Sequence, residues 1–123
     1  MTKLKDKVSV LNELIKSGET LQAMEIFYSD SVEMQENEDI PRKGKPACID
    51  AETKNLQKVK SFKSNLLNQV IDEEKGIIFS EWEILVTYKD SNKSMLKQVS
   101  VQHWLDGQVV KEKFYYKNFY KVD

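Results

Sequence analysis

The stretch "VQHWLDGQVVKEKFYY", residues 101–116, decides how the rest of the chain is read. Asp106-Gly107 lies between two β-like runs. A two-residue type I′ turn needs positive φ at both central positions, and Asp-Gly meets that need. Such a turn fixes a register, with Leu105 opposite Gln108, Trp104 opposite Val109 and His103 opposite Val110. Side chains alternate along a strand. One face should therefore carry Val99, Val101, His103, Leu105, Val110, Glu112, Phe114 and Tyr116. The other should carry Gln98, Ser100, Gln102, Trp104, Lys111, Lys113 and Tyr115. The first face is the more apolar, and the expectation is that it meets the core.

Working back from this hairpin, strands are expected near 65–72, 77–89, 95–105 and 108–117. Glu73-Glu74-Lys75-Gly76 and Asp90-Ser91-Asn92-Lys93 supply the turns between them. Upstream the period changes. Leu4, Val8, Leu11 and Ile15 fall on one face of a helix, which Ser17-Gly18 ends. A second helix starts at Thr20 and turns Leu21, Met24 and Phe27 inward. Asp30 should begin a turn, and residues 31–36 alternate as a strand with Val32 and Met34 on one side. Pro46 fits the first turn of a third helix presenting Ile49, Leu56, Val59 and Phe62. Helices, a strand, a helix and a four-stranded meander make an α+β domain, spanning 1–123, with helices against one face of a curved sheet.

Two polar residues fall on the expected inner face. His103 and Glu112 would be diagonal cross-strand neighbours. A carboxylate beside an imidazole can fix its tautomer and raise its pKa, as an acid/base pair requires. The pair is read either that way, with Glu112 orienting His103 as the base, or as a satisfied core histidine with Glu112 at the rim. Trp82 and Tyr88 share the inward parity of their strand and would wall a concave face, or simply fill the core. Glu36 continues the parity of Val32 and Met34. It either points into a pocket or ends the strand in water, with Arg42, Lys43 and Lys45 balancing Glu36, Glu38 and Asp39. Trp104 and Tyr115 on the second face suggest a partner surface.

Bulk properties narrow the function. Hydrophobic residues make up 40% and charged residues 32% of 123 residues, a globular composition. The formal net charge of −1 argues against nucleic acid as the main partner. One cysteine, Cys48, and one histidine give no zinc-type ligand spacing, so no metal or cofactor is expected. Cys48 lies in the first turn of the third helix and is read as a small buried residue. The apolar runs are too short to span a membrane, and the amino terminus lacks the apolar stretch of a signal peptide. A cytoplasmic protein is the expectation.

Two segments resemble a known family. "FYSDSVEMQENEDIPRKGKPACIDAE" resembles the F-Y-x-D-x-V…P…R…G-K opening of SnoaL-like domains. The hairpin quoted above resembles their final D-G-K-I-V hairpin. These domains belong to the nuclear-transport-factor-two-like, or cystatin-like, superfamily. The resemblance implies three helices packed in a strongly curved, mostly antiparallel sheet, a cone-shaped α+β barrel with a pocket. It also implies frequent homodimers through the outer sheet face. Members include polyketide cyclases, ketosteroid isomerases and dehydratases that move protons beside carbonyls, and others are binding or scaffold modules. The cyclases' acidic residue in the last strand falls at Phe114, which cannot do that work. The combined expectation is an apolar pocket for a hydrophobic or aromatic small molecule. Trp82, Tyr88, Phe114 and Tyr116 would wall it, and His103, Glu112 and Glu36 would be its polar anchors. The alternatives are proton transfer beside a carbonyl, with Glu36 as a secondary acid, and a non-catalytic dimerisation module.

Overall fold

The computed structural model describes residues 3–122. Met1, Thr2 and Asp123, counted within the expected domain, lie outside the described residues. The first helix, α1 (Leu4–Lys16), buries Val8 and Leu11 of its expected stripe. Its first turn is capped from far along the chain, because Glu73 accepts from the backbone N–H groups of Leu4 at 3.2 Å and Lys5 at 3.0 Å. A carboxylate there suits the positive end of the helix dipole. Gly18, at φ +80°, follows the cap residue Ser17. The second helix, α2 (Thr20–Phe27), buries Ala23, Met24 and Phe27.

α2 runs straight into β1 (Tyr28–Glu36), so no turn forms at Asp30. A two-residue β2 (Arg42–Lys43) and α3 (Lys45–Leu56) follow. The helix stops before Val59 and Phe62, which belong instead to β3 (Val59–Asp72). Their spacing from Leu56 mimics a helical stripe, but pairing of Val59 with Tyr88 and Phe62 with Val86 draws them into the sheet. The meander continues through β4 (Ile77–Tyr88), β5 (Lys93–Leu105) and β6 (Gln108–Tyr115). A last strand, β7 (Phe119–Val122), pairs with the start of β5.

The strand order is β2-β1-β6-β5-β4-β3, with β1 parallel to β6 and the other pairs antiparallel. Register shifts in β1, β3 and the β5–β6 pair bend the sheet into an open, curved trough around the helices. The core joins Val8 and Leu11 of α1, Ala23, Met24 and Phe27 of α2, and Val32, Ile78, Trp104 and Val109 of the sheet. The rings of Phe27 and Trp104 meet at 5.9 Å and 56°.

The hairpin corrects the expected face. Asp106 and Gly107 both have positive φ, +52° and +77°. Leu105 pairs with Gln108 and Trp104 with Val109. His103 then pairs with Lys111 rather than Val110, because Val110 is an extra residue on β6. One bulged residue flips every later side chain of β6 relative to β5. The inner face of β5 is thus Ser100, Gln102 and Trp104, all buried, while His103, Val101 and Val99 turn outward.

Candidate ligand site

The inner face of the sheet is built in cross-strand rows. One row holds Ile71, Ile78, Gln102, Glu112 and Met34 in register across five strands. The next holds Gln69, Ser80, Ser100, Phe114 and Glu36. Leu66, Trp82 and Gln98 make a third. The apolar core under α1 and α2 takes in Ile71, Ile78 and Met34 of the first row. Trp82, Val86 and Leu96 are buried outside that core.

Between the two apolar regions runs a polar belt centred on Glu112, whose residue is only 3% exposed. The Tyr28 hydroxyl donates to Oε1 of Glu112. Ser100 Oγ donates to Oε2 at 2.7 Å and Gln102 Nε2 at 2.8 Å. Gln102 is itself fixed, since its Oε1 accepts from the Trp104 indole at 3.0 Å. Farther along, Gln69 Nε2 donates to Ser80 Oγ at 2.8 Å and exchanges amide hydrogen bonds with Asn12 of α1 at 2.9 and 3.2 Å. No buried side-chain polar atom among the described residues lacks a partner. Burying so many polar groups is tolerable only because the set is complete.

Burial pushes the Glu112 carboxyl above the usual carboxylate range, outweighing the three donors that favour its charged form. Burial, then the Glu112 charge, pushes the Tyr28 phenol well above its ordinary value. A second carboxyl faces the same space. Glu52 of α3 is raised by burial and then by Glu36 and Glu112, with Arg42 opposing. No hydrogen bond or ion pair holds the Glu52 side chain among the described residues, unlike Glu112. At the end of β1, Glu36 Oε1 accepts from the Tyr116 hydroxyl at 3.2 Å, and Glu36 Oε2 lies 3.9 Å from Arg42.

The residues singled out from the sequence divide accordingly. Glu36 pairs with Phe114 and meets Tyr116, and Glu112 lies in the neighbouring row of the same face. Trp82 faces inward on β4, whereas Tyr88 sits at the opposite end of β4 from Ile78, opposite Val59. His103 is on the outer face, between Ile77 and Lys111, so the His103–Glu112 pair does not form. Trp104 is buried in the core and leaves the expected partner surface; Tyr115 stays on it. The basic cluster also divides. Arg42 meets Glu36, but Lys43 meets Glu33 at 4.0 Å and Lys45 meets Asp30 at 3.6 Å, while Glu38 is held by Lys113 at 3.0 Å. Cys48 is buried with its thiol against the Arg42 carbonyl, and burial raises its pKa, the opposite of an activated thiolate.

Sequence reasoning passed over Glu52, Tyr28, Ser100 and Gln102. Glu52 had a signal. It lies three residues after Ile49 and four before Leu56, a carboxylate in the middle of an apolar stripe. The others depended on the β6 bulge.

Two hollows mark the surface elsewhere. One of about 140 Å³ lies on the outer sheet face among Leu67, Glu81, Lys97, Val99 and Tyr115. One of about 320 Å³ lies between the start of α1, the β3–β4 turn and the hairpin. Neither borders Glu112, Glu52 or His103. No group of three His, Cys, Asp or Glu side chains among the described residues could hold a metal ion. No described helix is long and apolar enough to cross a membrane.

An α+β cone of three helices in an open curved sheet defines a broad class of proteins, and solved structures place this chain within it. No family model matches the sequence, and no curated protein does. A Mesorhizobium loti protein described as a SnoaL-like polyketide cyclase superposes with TM-score 0.78 at 19% identity, covering 94% of this chain and 100% of the other. A nuclear-transport-factor-two-like protein of unknown function from Burkholderia pseudomallei gives TM-score 0.80 at 13% identity, covering 95% and 92%. An epoxide hydrolase of Mycobacterium tuberculosis, described as LEH-like, gives 0.74 at 10% identity, covering 91% and 80%. The fold is therefore the SnoaL-like, nuclear-transport-factor-two-like fold. At these identities the likeness extends to the fold alone.

Proposed function

We propose that residues 1–123 form one cytoplasmic ligand-binding domain, with its site on the inner sheet face beneath α3. The ligand is a hydrophobic or aromatic small molecule. Trp82, Phe114 and Tyr116 supply the apolar contact, and Glu52 and Glu36 supply acceptors for a donor group on the ligand. The observation that carries this reading is the contrast between two neighbouring carboxyls. Glu112 is saturated by three protein donors, and Glu52 has none among the described residues. A partly buried acceptor beside aromatic walls is what a ligand's hydroxyl or N–H would satisfy. His103 takes no part in this site.

The two tryptophans separate the site from the core. In a Trp104→Phe background, Trp82 is the sole indole. Neutral aromatic compounds should change its emission and raise Tm, and Glu52→Ala should weaken that response about 10-fold, the worth of one lost hydrogen bond to a charged group. A broad set of such compounds that leaves both emission and Tm unchanged overturns the proposal.

A second reading, proton transfer beside a carbonyl, is favoured by the raised pKa of Glu52. Glu52 would take the proton from the carbon next to the carbonyl and return it. Deuterium from D₂O should then enter a bound carbonyl compound in the wild type and not in Glu52→Gln. The outer sheet face also suits a homodimer. Val70, Phe79, Leu67 and Tyr115 are exposed on it, beside Val99 and Val101. Phe79→Lys should then convert a dimer to a monomer in sedimentation.

A further inference from the structure

The outer sheet face has rows of its own. One holds Asp72, Ile77, His103 and Lys111 across β3, β4, β5 and β6. The next holds Val70, Phe79, Val101 and Lys113, followed by Asn68, Glu81, Val99 and Tyr115. A fourth holds Asn65, Glu83 and Lys97. Val70, Phe79 and Tyr115 are exposed here, with Leu67 beside them in the β3 bulge. The charges of these rows divide along the line between β4 and β5. Asp72, Glu81 and Glu83 lie on the β3–β4 half, and Lys97, Lys111 and Lys113 on the β5–β6 half.

Some of these charges are used within the chain. Asn68 Nδ2 donates to Glu81 at 2.8 Å, Lys113 meets Glu38 at 3.0 Å, and Asp72 accepts from the Lys75 N–H at 2.9 Å. Glu83, Lys97 and Lys111 form no ion pair among the described residues, although Glu83 and Lys97 are neighbours in register.

We infer that a second copy of this chain docks on this face about a twofold axis parallel to the strands and midway between β4 and β5. The acidic half of each copy then lies on the basic half of the other. Asp72 meets Lys111, Glu83 meets Lys97 and Phe79 meets Val101, each contact being made twice. Tyr115 lies on Leu67 and Asn68, over the hollow of about 140 Å³ that Leu67 and Tyr115 both line. Glu81 is the one carboxylate set on an apolar side chain, Val99, and it keeps its bond to Asn68. Sheets packed face to face keep their strands within about 30° of each other, as this axis allows.

Other axes fail on charge. One along β4 stacks Glu81 and Glu83 on their own copies, and one along β5 does so with His103 and Lys97. One across the strands at Phe79, at Glu81 or between them lays Ile77 or Phe79 on Glu81 or Glu83. Strands about 4.8 Å apart and rows about 6.8 Å apart make four strands by four rows roughly 500 Å² per copy, or about 1,000 Å² in the pair, the lower bound of a specific interface. That two copies meet on this face rests on the homodimer reading above; which rows meet follows from the charges.

Sedimentation equilibrium of the full chain reads the pairing. Glu83→Lys leaves only cations facing one another across the axis, and Lys97→Glu leaves only carboxylates. Each variant should dimerise at least about 10-fold more weakly than the wild type, and added salt should shrink the difference. Mixed in equal parts, the two should form a heterodimer at about the wild-type affinity, because every facing pair is again opposite in sign. Mixing leaves the neighbouring pair within each chain unchanged, so recovery comes from contacts between copies. A dimer that Phe79→Lys dissociates but both reversals leave unchanged, or whose reversed variants do not combine, overturns the axis and leaves the outer-face dimer standing. A wild type that stays monomeric, or a dimer indifferent to Phe79→Lys, overturns both.

Discussion

Under α1 and α2 the cone is closed by large apolar side chains from both layers; under α3 it is closed by a helix that contributes one buried cysteine. Val8, Leu11, Met24 and Phe27 interlock with Val32, Ile78, Trp104 and Val109 at the first end. Away from that cluster Trp82, Val86 and Leu96 are buried, and α3 turns the Glu52 carboxyl inward. The belt around Glu112 separates them. The difference shows how one small domain can close its two ends by different means, with interlocked apolar side chains at one and a helix that turns a carboxyl inward at the other.

The comparison is broken most forcefully at the closed end. Leu11 is 1% exposed and sits among the core side chains of both layers. Leu11→Ala should cost about 3–5 kcal/mol, because a site walled by sheet and helix cannot collapse onto the space left behind. Chemical denaturation reads this as a lower midpoint with an unchanged slope. An equally large loss from Ile49→Ala in α3 would show that the two ends do not differ.

The belt comes next. Tyr28→Phe removes one donor from a buried carboxyl while leaving the ring packed, and should cost about 1–3 kcal/mol. Glu112→Gln tests the same cluster through pH. The native carboxyl has a raised pKa, so its stabilising contribution is full below the ordinary carboxylate value and lost as pH rises through the raised one. The neutral amide has no such loss, and the hydroxyls of Tyr28 and Ser100 can reorient to meet it. Stability of the wild type relative to Glu112→Gln should therefore fall on going from acid to neutral pH. Parallel stability curves would remove Glu112 from the account.

The sequence made the element order and the turns readable, because Asp106-Gly107, Gly76 and Gly18 each mark a backbone position with positive φ. Gly76 marks a close approach as well. A Cβ there would stand 2.6 Å from the Trp104 carbonyl oxygen, in the segment where the Trp104 N–H meets the Gly76 carbonyl at 2.7 Å. The face of Glu36 was readable too, because it follows simple alternation from Val32 and Met34. The belt was not. Its legibility hinged on Val110, a residue whose β-branched side chain suits a regular strand as well as a bulge. Counting straight through it assigned Val99, Val101 and His103 to the core and left Ser100, Gln102 and Trp104 outside. Hydrophobicity reinforced the error, since the true inner face of β5 is the more polar one. Polar residues are admitted there because Glu112 of the adjoining strand accepts from Ser100 and Gln102, while Tyr28, distant in sequence, donates to Glu112 in turn.

The smallest effect expected lies on the outer surface of α3, and it sharpens the contrast by what it leaves unchanged. Lys54 and Asp50 pair at 3.1 Å one turn apart, with both side chains mostly exposed. Such pairs contribute about 0.3–0.5 kcal/mol, and added salt screens them. Asp50→Asn should therefore shift the denaturation midpoint barely at all. It also leaves the inner face of the helix untouched. If the ligand meets the inner side of α3, Asp50→Asn must keep the wild-type response of Trp82 emission to aromatic compounds, in contrast to Glu52→Ala. A response that disappears in both variants would place its origin in the helix's own stability rather than in what the helix faces.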